Sequence, residues 1–203
     1  MNNIAIFASG RGSNMLQITR HLEHSTLARV RLVVASRKTA GVLEHSKACG
    51  IESIVVTRDQ LSDPNVLLDE LRKRDIKWLV LAGWLLLLPP EIIAAYRGRI
   101  VNVHPSLLPE FGGKGMFGHH VHEAVIAAGR KRSGITIHLV TEEYDSGSIV
   151  AQFECEVLPE DTPQTLEERI HALEYRHYPE QIERLIASDE ASSTDSESLS
   201  EGE

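Results

Sequence analysis

Short β-branched and apolar runs alternate along most of this chain with stretches whose apolar positions recur every three or four residues. The runs predict strands at NIAIFA from Asn3, VRLVVA from Val30, SIVV from Ser53, KWLVLA from Lys77, RIVNV from Arg99 and ITIHLV from Ile135. A last strand falls between Ile149 and Val157. Several early strands are apolar on both faces, as in a parallel sheet covered on each side by helices. The intervening stretches predict the helices. Ser13 caps one that runs toward His24, Asp63 caps one through Leu71, and another spans His119 to Ala128. The last starts near Thr162, with Pro163 suited to a first turn. Strand–helix alternation of this kind gives an α/β fold: a doubly wound, mostly parallel, Rossmann-like sheet with helices on both faces and right-handed crossovers.

Ligands of such sheets bind beyond the carboxyl ends of the strands, near a reversal of strand order. The loops after Ala8, Ala82, Val103 and Val140 therefore hold the candidate chemistry. The first, Ser9-Gly10-Arg11-Gly12-Ser13-Asn14, opens directly into a helix. Glycines let backbone approach a ligand, and a helix N-terminus offers unpaired N–H groups and partial positive charge, so a phosphate is the natural guest. The loop is not a dinucleotide fingerprint, because Met15 replaces the third glycine and Ala35-Ser36-Arg37 ends the second strand without an acid. It also lacks the Gly-Lys-Ser/Thr of a Walker loop. A tight turn with a helix cap would account for it equally well on its own.

Asn102 and His104 alternate on one face of the strand from Arg99, and Pro105 stops that strand. An amide and an imidazole side by side suit a reaction that develops negative charge on oxygen, since both donate hydrogen bonds and the imidazole also moves protons. A buried pair serving only the loop's backbone groups is the plainer alternative. Asp145 lies in the bent segment TEEYDSGSIV; brought beside His104 it would orient the ring, and left alone it is a turn aspartate.

Charge and composition narrow the partners. Net charge is −8, and the stretch from Ser188 carries six acids with no Lys or Arg. Residues 1–187 thus read as one nearly neutral domain, and 188–203 as an acidic, disordered tail. A neutral body argues against nucleic acid, which needs a basic face. The longest apolar run, Leu79 to Leu88, is broken by Gly83 and closed by Pro89 and Pro90, too short for a membrane span. The N-terminus does not read as a signal peptide, and Cys49 and Cys155 have neither disulfide nor metal spacing. A cytoplasmic protein is expected.

Taken in order, GRGSN after the first strand, AG followed by apolar residues, NVHPSLLP, a glycine-rich stretch ending in HVHEAV, and D-x-G before a strand resemble the folate-dependent formyltransferases. GRGSN is similar to the branch that acts on glycinamide ribonucleotide. The resemblance implies transfer of a formyl group from 10-formyltetrahydrofolate to the amino group of that nucleotide, in purine biosynthesis, by direct attack through a tetrahedral intermediate. It implies a phosphate on Gly12, Ser13 and Asn14 and a catalytic trio of Asn102, His104 and Asp145. Glu174 is matched to the substrate's amine side. Folate contacts fall to Arg58, Leu85, Leu86, Leu87, Leu88 and Asn102. Neither a metal nor a second cofactor is implied, and the partners are small molecules, with the protein a monomer or homodimer. A non-catalytic nucleotide- or folate-binding module is the rival of a different class; binding alone would not require all three of Asn102, His104 and Asp145.

Overall fold

The structure, a computed structural model, describes the backbone of residues 1–200 and the side chains of residues 1–192. Seven strands form one sheet: β1 (Asn2–Ala8), β2 (Ala28–Ala35), β3 (Glu52–Val55), β4 (Ile76–Leu81), β5 (Ile100–His104), β6 (Arg132–Leu139) and β7 (Ile149–Glu156). Their order is β3-β2-β1-β4-β5-β6-β7. The first five run parallel, while β6 is antiparallel to β5 and β7 to β6. The chain winds outward from β1 to β3, then returns to place β4 on β1's other side. That reversal opens a crevice beyond the carboxyl ends of β1 and β4. The doubly wound α/β reading holds, with an antiparallel margin.

Helices cover both faces. Ile4, Ile6 and Ala8 of β1 point into one core with α1 (Ser13–Leu22), α2 (Val42–Ala48), α5 (His119–Ala127) and α6 (Pro163–Ser200). Ala5 and Phe7 point into the other, with α3 (Pro64–Lys73) and α4 (Pro90–Ala95). Five consecutive residues of β1, Ile4 to Ala8, are fully buried, which is why its sequence is apolar without alternation. Asp63 caps α3 as expected, accepting from the Asn65 N–H at 3.1 Å. Two short helices escape the sequence reading: α2 has seven residues and α4 six, too few for a helical period to register. Among the described residues no helix is long and apolar enough to cross a membrane.

Ser13 does not cap α1. Gly12 occupies that position with φ 87°, and Ser13 is the first helical residue. A Cβ at Gly12 would lie 2.7 Å from Val42 of α2, so only glycine fits the turn. With no side-chain cap bond here, the first-turn N–H groups face the crevice.

Across the expected boundary after residue 187, α6 continues without a break. Ser188 and Ser192 bond back to the carbonyls of Arg184 and Ser188. Asp189 pairs with Arg99 at 3.1 Å, and the Asn2 amide donates to Glu190 at 2.6 Å. These acids begin as part of the fold because a cation and an amide receive them. The rest of the expected tail, 193–203, lies outside the residues whose side chains are described.

One contact ties α6 to the sheet where it matters for the crevice. Tyr178 is fully buried, and its hydroxyl lies 3.0 Å from both the Leu81 and Val101 carbonyls, at the ends of β4 and β5. One proton serves two acceptors. Tyr178→Phe should therefore destabilise the protein by about 1–3 kcal/mol in urea unfolding; an unchanged midpoint would show that the carbonyls do not depend on it.

Candidate active site

A cavity of about 300 Å³ occupies the crevice. Gly12, Ser13 and Asn14 line one end, Asn102, His104 and Asp145 the middle, and Leu85 to Leu88 the other end, with Glu174 in the wall. The two loops flanking the strand reversal are bonded together: Ser9 donates its backbone N–H to the Gly83 carbonyl, and its hydroxyl accepts from the Leu85 N–H, both at 3.0 Å. Residues 85–88 are an extended loop rather than the start of a core helix, which begins only at Pro90. Leu85 and Leu87 stand exposed while Leu88 is buried, so the loop offers an apolar rim and its own backbone groups. Arg58 lies apart from these residues. It is exposed in the loop after β3, the sheet's edge strand, and is not part of the cavity wall. Two strands separate β3 from the reversal, so a residue there must reach across the sheet to meet a ligand.

Asn102 and His104 share a face of β5, and His104 is buried. Its Nε2 bonds to the Phe111 carbonyl at 2.8 Å. A carbonyl can only accept, so Nε2 carries a proton. The other nitrogen, Nδ1, faces Asp145 Oδ1 at 3.5 Å, ion-pair distance but longer than a direct hydrogen bond. The second Asp145 oxygen accepts from the Gly113 N–H at 2.9 Å. Asp145 has φ 52°, a left-handed conformation that a short polar side chain tolerates. Beside it, a Cβ on Gly147 would run into the Leu139 carbonyl, so glycine lets the loop fold back on β6. The carboxylate that sequence could not position is thereby returned to the histidine.

One member of the constellation was missed. His138 lies directly opposite Asn102 in the β5–β6 ladder. Its Nδ1 donates to the Leu139 carbonyl at 3.0 Å, which leaves Nε2 as the acceptor for the Asn102 amide, also at 3.0 Å. Burial pushes His138 below the usual histidine range, keeping it neutral and suited to accept. The Asn102 amide is thus oriented, with its second Nδ2 hydrogen left for a ligand. The available signal was an imidazole between Ile137 and Leu139 in an apolar strand; pairing register was not readable.

The other histidines serve different ends. His119 and His120 lie 3.3 Å from Glu167 and Glu123 respectively, and buried His122 is pushed down to about 4 by desolvation. Among the described residues no cluster of three or more metal-ligating groups occurs.

At the phosphate-loop end, the Asn14 amide donates to Glu174 at 2.7 Å. Burial pushes the Glu174 carboxyl up to about 7, against the lowering effect of that hydrogen bond. The folded state therefore holds this proton more tightly than the unfolded chain, and stability falls as pH rises from about 4.5 to about 7. Glu174→Gln keeps an oxygen for Asn14 but cannot ionise. Its unfolding free energy should exceed the wild type's by up to about 3 kcal/mol above pH 7, with the difference vanishing near pH 4.5. Parallel pH profiles for the two proteins would contradict the assignment.

Comparison with known proteins agrees with this geometry. The formyl transferase family profile matches residues 2–182. A chloroplastic phosphoribosylglycinamide formyltransferase of Arabidopsis thaliana is 41% identical over 186 residues, covering 88% of this chain and 63% of the plant protein. The chain thus spans about three fifths of that relative's length. A phosphoribosylglycinamide formyltransferase of Bacillus subtilis is 37% identical, covering 92% of this chain and 95% of its own. Among solved structures, glycinamide ribonucleotide transformylase 1 from Geobacillus kaustophilus superposes with a TM-score of 0.84 at 36% identity, covering 92% and 99% of the two chains. The chain belongs to the formyl transferase family, within its phosphoribosylglycinamide formyltransferase group.

Proposed function

We propose that this protein transfers the formyl group of 10-formyltetrahydrofolate to the amino group of glycinamide ribonucleotide, a step of purine biosynthesis carried out in the cytoplasm on small-molecule substrates. The observation that carries the reading is the single cavity that joins an uncapped helix N-terminus to the Asn102, His104 and Asp145 constellation. The names of the relatives support the same substrate.

The geometry accounts for the chemistry. Backbone N–H groups at Gly12, Ser13 and Asn14 receive the phosphate at the positive end of α1. The apolar loop Leu85 to Leu88 offers a surface and backbone groups for a flat pterin, with Asn102 beside it. The substrate's neutral amine then attacks the formyl carbon, and the carbonyl oxygen gains negative charge. Asn102 donates its free amide hydrogen to that oxygen, in an orientation His138 enforces. His104, held between the Phe111 carbonyl and Asp145, supplies the second donor when its Nε2–H turns from that carbonyl to the oxygen. The C–N bond to the folate nitrogen breaks; the amine's proton is lost and the leaving nitrogen gains one, with His104 and Asp145 positioned to carry it. Direct transfer needs neither an enzyme nucleophile nor a metal.

Purified protein given both substrates should release tetrahydrofolate and the formylated nucleotide. Folded protein that binds both without turnover would overturn the proposal. His138→Leu should lower turnover by about tenfold or more, short of the ~100- to 1000-fold expected when an oxyanion donor is itself removed. KM for the nucleotide should change little. Steady-state kinetics of the His138→Leu and Asn102→Ala variants, run side by side, check the ordering.

A further inference from the structure

The catalytic role proposed for His104 depends on how its ring is held, and one grip is the Phe111 carbonyl on Nε2. Phe111 belongs to the loop after β5, so something must fix that loop. The hydrogen bonds lead to a hydroxyl on the neighbouring strand. Thr136 lies directly opposite His104 in the β5–β6 ladder and is fully buried. Its Oγ1 donates to the Ser106 carbonyl at 2.7 Å and accepts from the Leu108 N–H at 2.9 Å. It also accepts from Gln152 Nε2 at 2.9 Å, and the same nitrogen donates to the Leu108 carbonyl at 2.9 Å. One hydrogen and two lone pairs exhaust the hydroxyl's capacity. From Ser106 the chain of bonds continues: its fully buried hydroxyl donates to the Glu110 carbonyl at 2.6 Å, one residue before Phe111.

We propose that Thr136 is a positioning residue for the reaction: its hydroxyl fixes residues 106–110 and thereby sets the Phe111 carbonyl that orients the His104 ring. This rests on the catalytic reading of His104. Thr136 touches no cavity surface, so it acts only through the loop. Three features favour a positioning role over ordinary core packing. The hydroxyl spends all its bonds on the loop and on the residue that braces it. The loop's other internal bond, from Ser106, ends next to the gripping carbonyl. Phe111 itself has φ 55°, an unfavourable conformation for a bulky side chain that the surrounding bonds must hold.

The decisive variant is Thr136→Val, which keeps the shape and deletes the hydroxyl; Thr136→Ser keeps the hydroxyl. Thr136→Val should lower kcat by about 10- to 100-fold, the effect of a small misplacement of a reacting group, while KM for both substrates stays within twofold. The downfield NMR resonance of the His104 Nε2–H, held against a buried carbonyl, should be lost in Thr136→Val. Thr136→Ser should restore both the resonance and the rate. Unchanged kcat in folded Thr136→Val would overturn the proposal. So would a fall in stability with kcat and both KM values worsening together and the resonance retained, because that pattern marks packing alone. Should Thr136→Val not fold, Ser106→Ala cuts the next link and is judged by the same readouts. Wild-type protein without turnover would instead overturn the catalytic reading, and the resonance, recorded without substrates, would still decide whether Thr136 holds the ring.

Discussion

The antiparallel register between β5 and β6 is the constraint on which the site depends. It sets His138 against Asn102 and Thr136 against His104, so two donors of one strand are each matched by a group on the next. Side-chain direction alternates along a strand, and a slip of β6 by one residue would turn His138 and Thr136 toward the other face. Ile135 and Ile137, which with Val101 and Val103 now fill the core beneath α5 and α6, would take their place. Burying the apolar side chains and directing Asn102, His104 and His138 to the cavity, with Thr136 buried behind them, are one event. The hydrophobic pattern that stabilises the sheet therefore also specifies the chemistry.

Most of the architecture was legible because its signals are local. Seven apolar runs marked seven strands, and the positions of GRGSN beyond the first and NVHPSLLP at the end of the fifth followed from alternation alone. Asn102 and His104 could be put on one face by counting. What could not be read depends on distant chain segments. His138 became a partner of Asn102 only through strand pairing, and Asp145 came back to His104 only because Gly147 lets its loop fold onto β6. Arg58 lies in the loop after the edge strand and outside the cavity wall, so its place in the chain alone does not put it beside a ligand. The acidic stretch from Ser188 illustrates the same limit, since composition alone could not reveal Arg99 and Asn2 waiting for Asp189 and Glu190.

The two ends of the cavity are built on different physical terms. At the end lined by Gly12 to Asn14, partial positive charge is supplied by backbone at α1, and the ionisable side chain, Glu174, is buried enough for its proton to be retained near neutrality. At the reacting end, two imidazoles are arranged around one carboxylate, with a desolvated His138 beside a His104 facing Asp145. Keeping His138 uncharged limits competition for Asp145, so the carboxylate's influence falls on His104. Burial here selects among histidines that sequence alone would treat as equivalent.

The close approach of Gly12 to Val42 has a mechanical consequence. A turn seated directly on α2 cannot shift unless that helix shifts too, and α2 is packed into the main core. The end of the cavity at Gly12 is therefore a fixed wall. The opposite side, from Phe111 to Gly118, contains three glycines with positive φ and contacts the catalytic pair through single backbone groups. Such a cavity is built asymmetrically: one wall is locked by packing between two helices, and the other is rich in glycine and joined to His104 and Asp145 by one backbone group each.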